Sequence, residues 1–155
     1  MSVSFDRSLP MILHRTLDAT MPGYRELFAR YNLTEQQWRV LRVLWSDGRI
    51  SLADLSARTL LPAPSLVGIV DRLEKKQLVT RVRSQKDRRS VLIDATEQGR
   101  ALEAEVAPHV AVVDRQLRAA VSEEEWQTME HILTRISQAA CPASPKGGEP
   151  AARAE

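Results

Sequence analysis

Leu61-Pro62-Ala63-Pro64-Ser65-Leu66-Val67-Gly68-Ile69-Val70-Asp71-Arg72-Leu73-Glu74-Lys75-Lys76 is the stretch whose reading decides the fold. Wound as a helix at about 100° per residue, it places Leu66, Ile69, Val70 and Leu73 on one side and Pro64, Gly68, Asp71, Arg72 and Lys75 on the other, flanked by Ser65 and Val67. The apolar stripe predicts one buried face. The other side holds a glycine, which costs a helix interior about 1 kcal/mol relative to alanine. A glycine on a solvent face suits close approach by another surface, and Arg72 and Lys75 make that surface anionic. Charge is concentrated in the same region. Asp71 to Ser90 carries eight Lys/Arg against three Asp/Glu, a local +5, so the rest of a chain of net charge +2 sums to −3. Such a patch is the electrostatic footprint of a nucleic-acid binder, and a solvated loop can carry the same charge.

With 155 residues the chain is of single-domain length, and 43% hydrophobic with 27% charged residues fits a soluble globular protein. No apolar run approaches the roughly 20 residues of a membrane span, and the N-terminus lacks a signal-peptide pattern, so no membrane partner and a cytoplasmic location are expected. The single cysteine, Cys141, lies in a tail rich in Pro, Ala and Gly, which rules out an internal disulfide or a paired-cysteine metal site. No Ser/His/Asp set, paired carboxylate site, Gly-rich phosphate loop or metal cluster is evident. Neither an enzyme nor a cofactor is expected.

Three helix starts share one grammar. Thr34 precedes Gln37, Ser51 precedes Asp54 and Ser122 precedes Glu125, each with apolar residues before the cap and at the fifth position, as capping boxes and hydrophobic staples require. The shorter Asp54 makes its return bond doubtful. From these starts the chain reads as a frayed Met1 to Asp6, a helix from about Arg7 to Tyr31 with a kink or break at Pro22-Gly23, and a helix from Thr34 to Trp45. A turn at Ser46-Asp47-Gly48 and a scrap of strand at Arg49-Ile50 follow, then a short helix from Ser51 to Arg58 and the opening stretch. Two helices so closely joined, the second with a basic face, form a helix-turn-helix. Residues 78–83 and 90–94 alternate with period two and read as strands, and 84–89 as a polar hairpin tip. Thr96 caps a helix running towards Ala120, bent at Pro108, with Leu102, Val106, Val110, Val113 and Leu117 as its stripe. A last helix from Ser122 is expected to bury Trp126, Met129, Ile132, Leu133 and Ile136. The fold class is mainly α (α+β), a winged helix-turn-helix, and the N- and C-terminal helices carry more apolar surface than one small domain needs.

The runs Asn32-Leu33-Thr34-Glu35-Gln36-Gln37-Trp38-Arg39-Val40-Leu41, Val70-Asp71-Arg72-Leu73-Glu74, Asp87-Arg88-Arg89 and Thr96-Glu97-Gln98-Gly99 resemble the MarR family of transcriptional regulators. The likeness spans about residues 9–139 and leans towards the branch that represses operons for aromatic-acid breakdown, such as homoprotocatechuate degradation. The resemblance implies an obligate homodimer on a palindromic double-stranded DNA operator, its half-sites about one helical turn apart. Residues 7–33 and 96–140 would then be dimerisation helices, 34–95 the DNA-binding domain and 141–155 a disordered tail. The DNA contacts it implies are Pro64, Ser65, Gly68, Arg72 and Lys75 in the major groove, Arg89 oriented by Asp87 in the minor groove, and Arg81, Arg83 and Arg88 on the wing. A small-molecule effector, an aromatic or phenolic acid, would be met by His14, Arg15, Trp38 and Arg42. The chain departs from the family pattern in several places. Pro62 stands where a capping side chain is usual, Val67 where Thr is common, Ala63 where the nearest branch has Arg, and Ala95 where Leu is usual. Gln77 replaces a helix-ending Gly and is expected to adopt positive φ or to shift the helix end.

Blander readings compete at several positions. Trp38, Trp45 and Trp126 also suit core or interface positions, while His14, Arg15 and Arg42 suit a solvated helix face. His109 and His131 read as surface residues. The alternative to a DNA-binding regulator is a winged helix used as a protein-interaction module, which would not need a wing of concentrated positive charge. A redox sensor is a minor third reading, disfavoured by a lone cysteine in the tail.

Overall fold

The computed structural model describes residues 4–83 and 91–140. A 3₁₀ turn at Phe5–Arg7 leads into α1 (Leu9–Arg30), followed by α2 (Glu35–Asp47), β1 (Ile50–Ser51), α3 (Leu52–Thr59), α4 (Ala63–Lys75), β2 (Val79–Arg83), β3 (Val91–Ala95), α5 (Glu97–Arg118) and α6 (Glu123–Ala140). The strands form an antiparallel sheet in the order β1-β3-β2, with Ile50 opposite Ile93 and Arg83 opposite Val91. Helix, turn, helix and a two-stranded wing are therefore the observed architecture. The chain divides into two compact units, Met1–Arg115 and Gln116–Glu155.

Local chemistry sets the helix starts. Thr34 Oγ1 accepts the Gln37 amide (3.2 Å) while Gln37 Oε1 accepts the Thr34 amide (3.2 Å), a complete capping box. Ser122 and Glu125 repeat it. At α3 the Ser51 hydroxyl accepts the Asp54 amide and donates to the Asp54 carboxylate (2.6 Å). The shorter side chain thus meets the hydroxyl rather than the cap's backbone. Pro62, the N-cap of α4, offers no side-chain bond.

The core of the first unit gathers around α4. Leu66, Ile69, Val70 and Leu73 are buried together with Leu41, Leu44, Leu55, Val79 and Ile93, and each such side chain contributes about 1.5–3 kcal/mol by leaving water. Asp47 and Arg58 form a two-pronged ion pair (2.7 and 2.9 Å) between α2 and α3. Arg58 holds the Asp47 carboxyl below its usual range. The largely buried Asp94 of β3 accepts from Arg49 (3.0 Å) and Arg100 (3.3 Å).

Several expectations are corrected. The end of the segment read as frayed enters a 3₁₀ turn at Phe5, closed by the Ser8 hydroxyl donating to the Phe5 carbonyl (2.7 Å), while residues 1–3 lie outside the described residues. Of the kink or break expected at Pro22-Gly23, the break does not occur, because α1 runs continuously through them. The missing Pro22 amide leaves one carbonyl of an exposed turn to water. The next turn is fixed by Tyr24, whose hydroxyl donates to Asp114. The stripe of α6 is not buried: Met129 is 41% exposed, Ile132 47% and Ile136 39%, while Trp126 and Leu133 are half-buried. On α1, Leu9, Ile12, Leu13 and Leu17 are exposed too.

Gln77 takes φ of 59°, the left-handed conformation its position called for. Its amide donates to the Glu74 carbonyl (2.8 Å), and the Leu78 amide to the Leu73 carbonyl (3.0 Å), a Schellman-type closure. Gln77→Gly should therefore raise unfolding stability by up to about 1 kcal/mol. Chemical denaturation at fixed protein concentration measures this, and an unchanged or lower midpoint would contradict it.

Candidate functional site

Helix α4 presents the face that its sequence implied. Pro64, Ser65, Arg72 and Lys75 are exposed and Gly68 is half-exposed. A Cβ built on Gly68 would have as its nearest neighbour the Arg72 guanidinium, 3.7 Å away. Nothing in the fold itself therefore requires glycine there. The C-terminal end of α4 is fastened by Lys76, whose Nζ donates to the Asn32 carbonyl and to Gln37 Oε1 (3.1 Å). Burial, with the Arg72 charge beside it, lowers the Lys76 pKa. Arg72, Lys75 and Lys76 line a cleft of about 570 Å³ with Asn32, Thr34 and Gln37, and no carboxylate lines it.

Arg81 occupies a different place from a groove-facing wing arginine. It donates to Asp71 (2.5 Å) and to Glu74, so β2 pairs both acids on the flank of α4 and offsets one of their two charges. Uncompensated carboxylates there would repel a polyanion approaching Arg72 and Lys75. Arg83, at the end of β2, is exposed. Asp87, Arg88 and Arg89 lie outside the described residues.

The four residues expected to meet an effector are separated. Trp38 and Arg42 line a cleft of about 250 Å³ with Met21, Tyr24, Phe28, Glu35 and Arg39. Both also line a second cleft of about 150 Å³ with Trp45, Glu103, Val110 and Asp114. Trp38 stacks on Phe28 (4.7 Å between centroids) and meets Trp45 edge-on (5.2 Å). Arg39 pairs with Glu35 (2.9 Å), whereas Arg42 is exposed and forms no ion pair among the described residues. An aromatic wall beside such a guanidinium suits a planar carboxylate. His14 is exposed on the first half of α1, and Arg15 there pairs with Asp6; neither lines these clefts.

Residues that the sequence did not single out complete the walls. The Tyr24 hydroxyl donates to Asp114, and burial, then that hydrogen bond, pushes the Tyr24 pKa up to about 12. The two lie ninety positions apart, so no local pattern signals the pair. Arg39 was legible only as Arg42's neighbour on the same helix face, three positions away.

The model of the MarR family matches residues 33–91. The homoprotocatechuate degradative operon repressor of Escherichia coli is 35% identical over 126 residues, covering 81% of this chain and 85% of the relative. The HTH-type transcriptional regulator FarR of Neisseria gonorrhoeae is 31% identical over 128 residues, 83% and 80% of the two chains. Among solved structures, that of NadR in complex with 4-hydroxyphenylacetate superposes with a TM-score of 0.76 at 29% identity, over 88% of this chain and 96% of the other.

Proposed function

This chain belongs to the MarR family, and from that premise we propose that it is a homodimeric transcriptional regulator. In this reading it represses by binding a palindromic operator and is released by an aromatic acid. The observation that carries the reading is the exposed face of α4, where Pro64, Ser65, Gly68, Arg72 and Lys75 stand clear of the core that fixes the helix. Arg83 and the wing residues Asp87, Arg88 and Arg89 extend the same basic region in sequence. The concentrated charge favours DNA over the protein-interaction alternative, since a protein-binding wing has no need of it. The fold and its relatives are those of regulators rather than enzymes, and among the described residues no helix is long and apolar enough to cross a membrane.

The dimer assignment rests on the apolar stripes of α1 and α6, which the single chain leaves exposed. Residues 7–33 and 96–140 are accordingly assigned to dimerisation and 34–95 to DNA binding. Folding and dimerisation should be inseparable. Sedimentation at micromolar concentration should show a dimer and no folded monomer, and a stable monomeric species would defeat the assignment.

For the effector, Trp38 and Arg42 are the residues we assign, with His14 and Arg15 contributing if the partner protomer brings them to the cleft. An aromatic carboxylate would lie against the Trp38 wall with its charge on Arg42. A ligand that favours one dimer geometry typically couples to DNA binding by about 1–3 kcal/mol, a several-fold to roughly hundredfold loss of operator affinity. The test titrates phenolic and aromatic carboxylates, 4-hydroxyphenylacetate among them, against the complex with a duplex selected from a random pool. Affinity should fall with the acid and, without it, fall steeply with salt. Arg42→Met should bind the duplex as before and lose the response. Silence from the whole panel, or an undiminished response in Arg42→Met, would overturn the effector assignment.

A further inference from the structure

The outward surface of α4 is divided in character along its length and across its width. Between Pro62 and Val70, Ser65 is the single side chain able to form a hydrogen bond. The cations, Arg72 and Lys75, come later. At about 100° per residue, Ser65 and Arg72 share one flank, while Ala63 and Val67 share the other, followed there by Asp71 and Glu74. Both acids pair with Arg81, whose single charge offsets one of the two. Val67 is 41% exposed, and Leu60, on the turn that leads into the helix, is 83% exposed. Leu60 is also held at φ 55° and ψ 30°, a left-handed backbone that costs a leucine more than a glycine. An apolar side chain retained at a strained, exposed position is where a contact outside the chain is expected.

We propose that the leading half of α4 and the turn before it select thymine through its C5-methyl groups, with Val67 on the helix and Leu60 on the turn as the residues that recognise them. The proposal rests on the DNA-binding reading above and commits the face to one occupant, the major groove of a DNA duplex. Charge argues for that occupant. The same helix carries Arg72 and Lys75 outward, and the fold pairs the two acids beside Val67 with Arg81, which halves their charge. An apolar protein partner would not require this. Base chemistry then sets the preference. In the major groove thymine alone among the four bases presents a methyl group, while the other base edges present donors and acceptors. Valine and leucine pack against a methyl, but they strip water from a donor or acceptor without replacing its hydrogen bond. Discrimination by this flank is therefore for thymine and against the polar edges, leaving Ser65 and Arg72 to serve the opposite flank.

The experiment begins with selection of bound sequences from a random duplex pool by the full-length wild-type protein. The enriched duplex is then remade with deoxyuridine replacing thymidine, one symmetric pair of positions at a time. This removes a methyl and leaves the hydrogen-bonding edge intact. At one or two pairs the affinity should drop by about fourfold per methyl, the size expected for burial of one such group. Val67→Ala, at an exposed position and checked by circular dichroism for its fold, should bind the thymidine duplex more weakly. It should also lose the penalty for deoxyuridine at its own pair, and Leu60→Gly should do the same at a neighbouring pair. A duplex bound equally with and without its thymine methyls would overturn methyl recognition while leaving DNA binding intact. A penalty that persists unchanged in both variants would overturn the assignment to these residues. Failure of the pool to enrich at all would remove the DNA-binding reading and this proposal with it.

Discussion

Gly99→Ala is expected to lower unfolding stability by about 3 kcal/mol and the melting temperature by about 10 °C for a chain of this size. A Cβ at this position would lie 2.1 Å from the Leu78 carbonyl oxygen and 3.1 Å from its carbon. Both are backbone atoms, which cannot rotate away as a side chain would. The surroundings are pinned as well: the Thr96 amide donates to that same Leu78 carbonyl (3.1 Å), the Thr96 hydroxyl to the Gln77 carbonyl (2.6 Å) and the Gly99 amide to Thr96 Oγ1 (3.0 Å). The Gly99 carbonyl accepts from Trp45 Nε1 (3.0 Å). Admitting a methyl means parting the start of β2 from the first turn of α5, with loss of some of these bonds. Gly23→Ala is the internal control. Its Cβ would meet Val113 at 3.7 Å, an ordinary contact, and alanine should stabilise an exposed helix position by about 0.5–1 kcal/mol. Thermal and denaturant unfolding at equal protein concentration compare the two. A Gly99→Ala protein as stable as wild type would show that the close approach has room to relax.

Arg89→Ala is expected to weaken specific DNA binding by about 1–3 kcal/mol on each half-site and to reduce the salt slope, with no change in thermal stability. Arg89 lies outside the described residues, so the expectation stands on sequence and on the strands that flank it. Antiparallel pairing of β2 and β3 reaches Arg83 opposite Val91, which makes residues 84–90 the connection between them. Asp87 precedes Arg89 by two positions, the spacing at which an extended chain turns two side chains the same way. A carboxylate so placed can hold a guanidinium in one orientation, and a narrow minor groove attracts an inserted arginine. A surface ion pair without a DNA role would contribute at most about 1 kcal/mol, and to stability rather than binding. Anisotropy titrations over a range of salt separate the two. Wild-type affinity with an unchanged slope would remove Arg89 and Asp87 from the interface.

What the sequence determined by itself is what neighbouring residues settle among themselves. Thr34 with Gln37, Ser122 with Glu125 and the buried stripe of α4 were all legible, while the resemblance left Gln77 open between positive φ and a shifted helix end. Caps, helix faces and helix ends are decided by hydrogen bonds and burial within one or two turns, and those partners lie within reach along the chain. Even the unpaired stripes of α1 and α6 were visible as a surplus, although the expectation that α6 would be buried failed for the isolated chain. Tertiary structure decided the rest. Gly99 stood in the sequence as part of a motif, and its necessity emerges only where Leu78, twenty-one positions earlier, crosses it. Arg81 looked like another wing cation until β2 set it against Asp71 and Glu74. Trp38 and Arg42 line common clefts, and His14 and Arg15 do not line them in the single chain, because the second half of α1 and the length of α5 bring Tyr24, Phe28 and Asp114 to α2. Such pairings depend on which faces meet across the core. That is fixed by the packing of the whole set of apolar stripes together and is written in no single one of them.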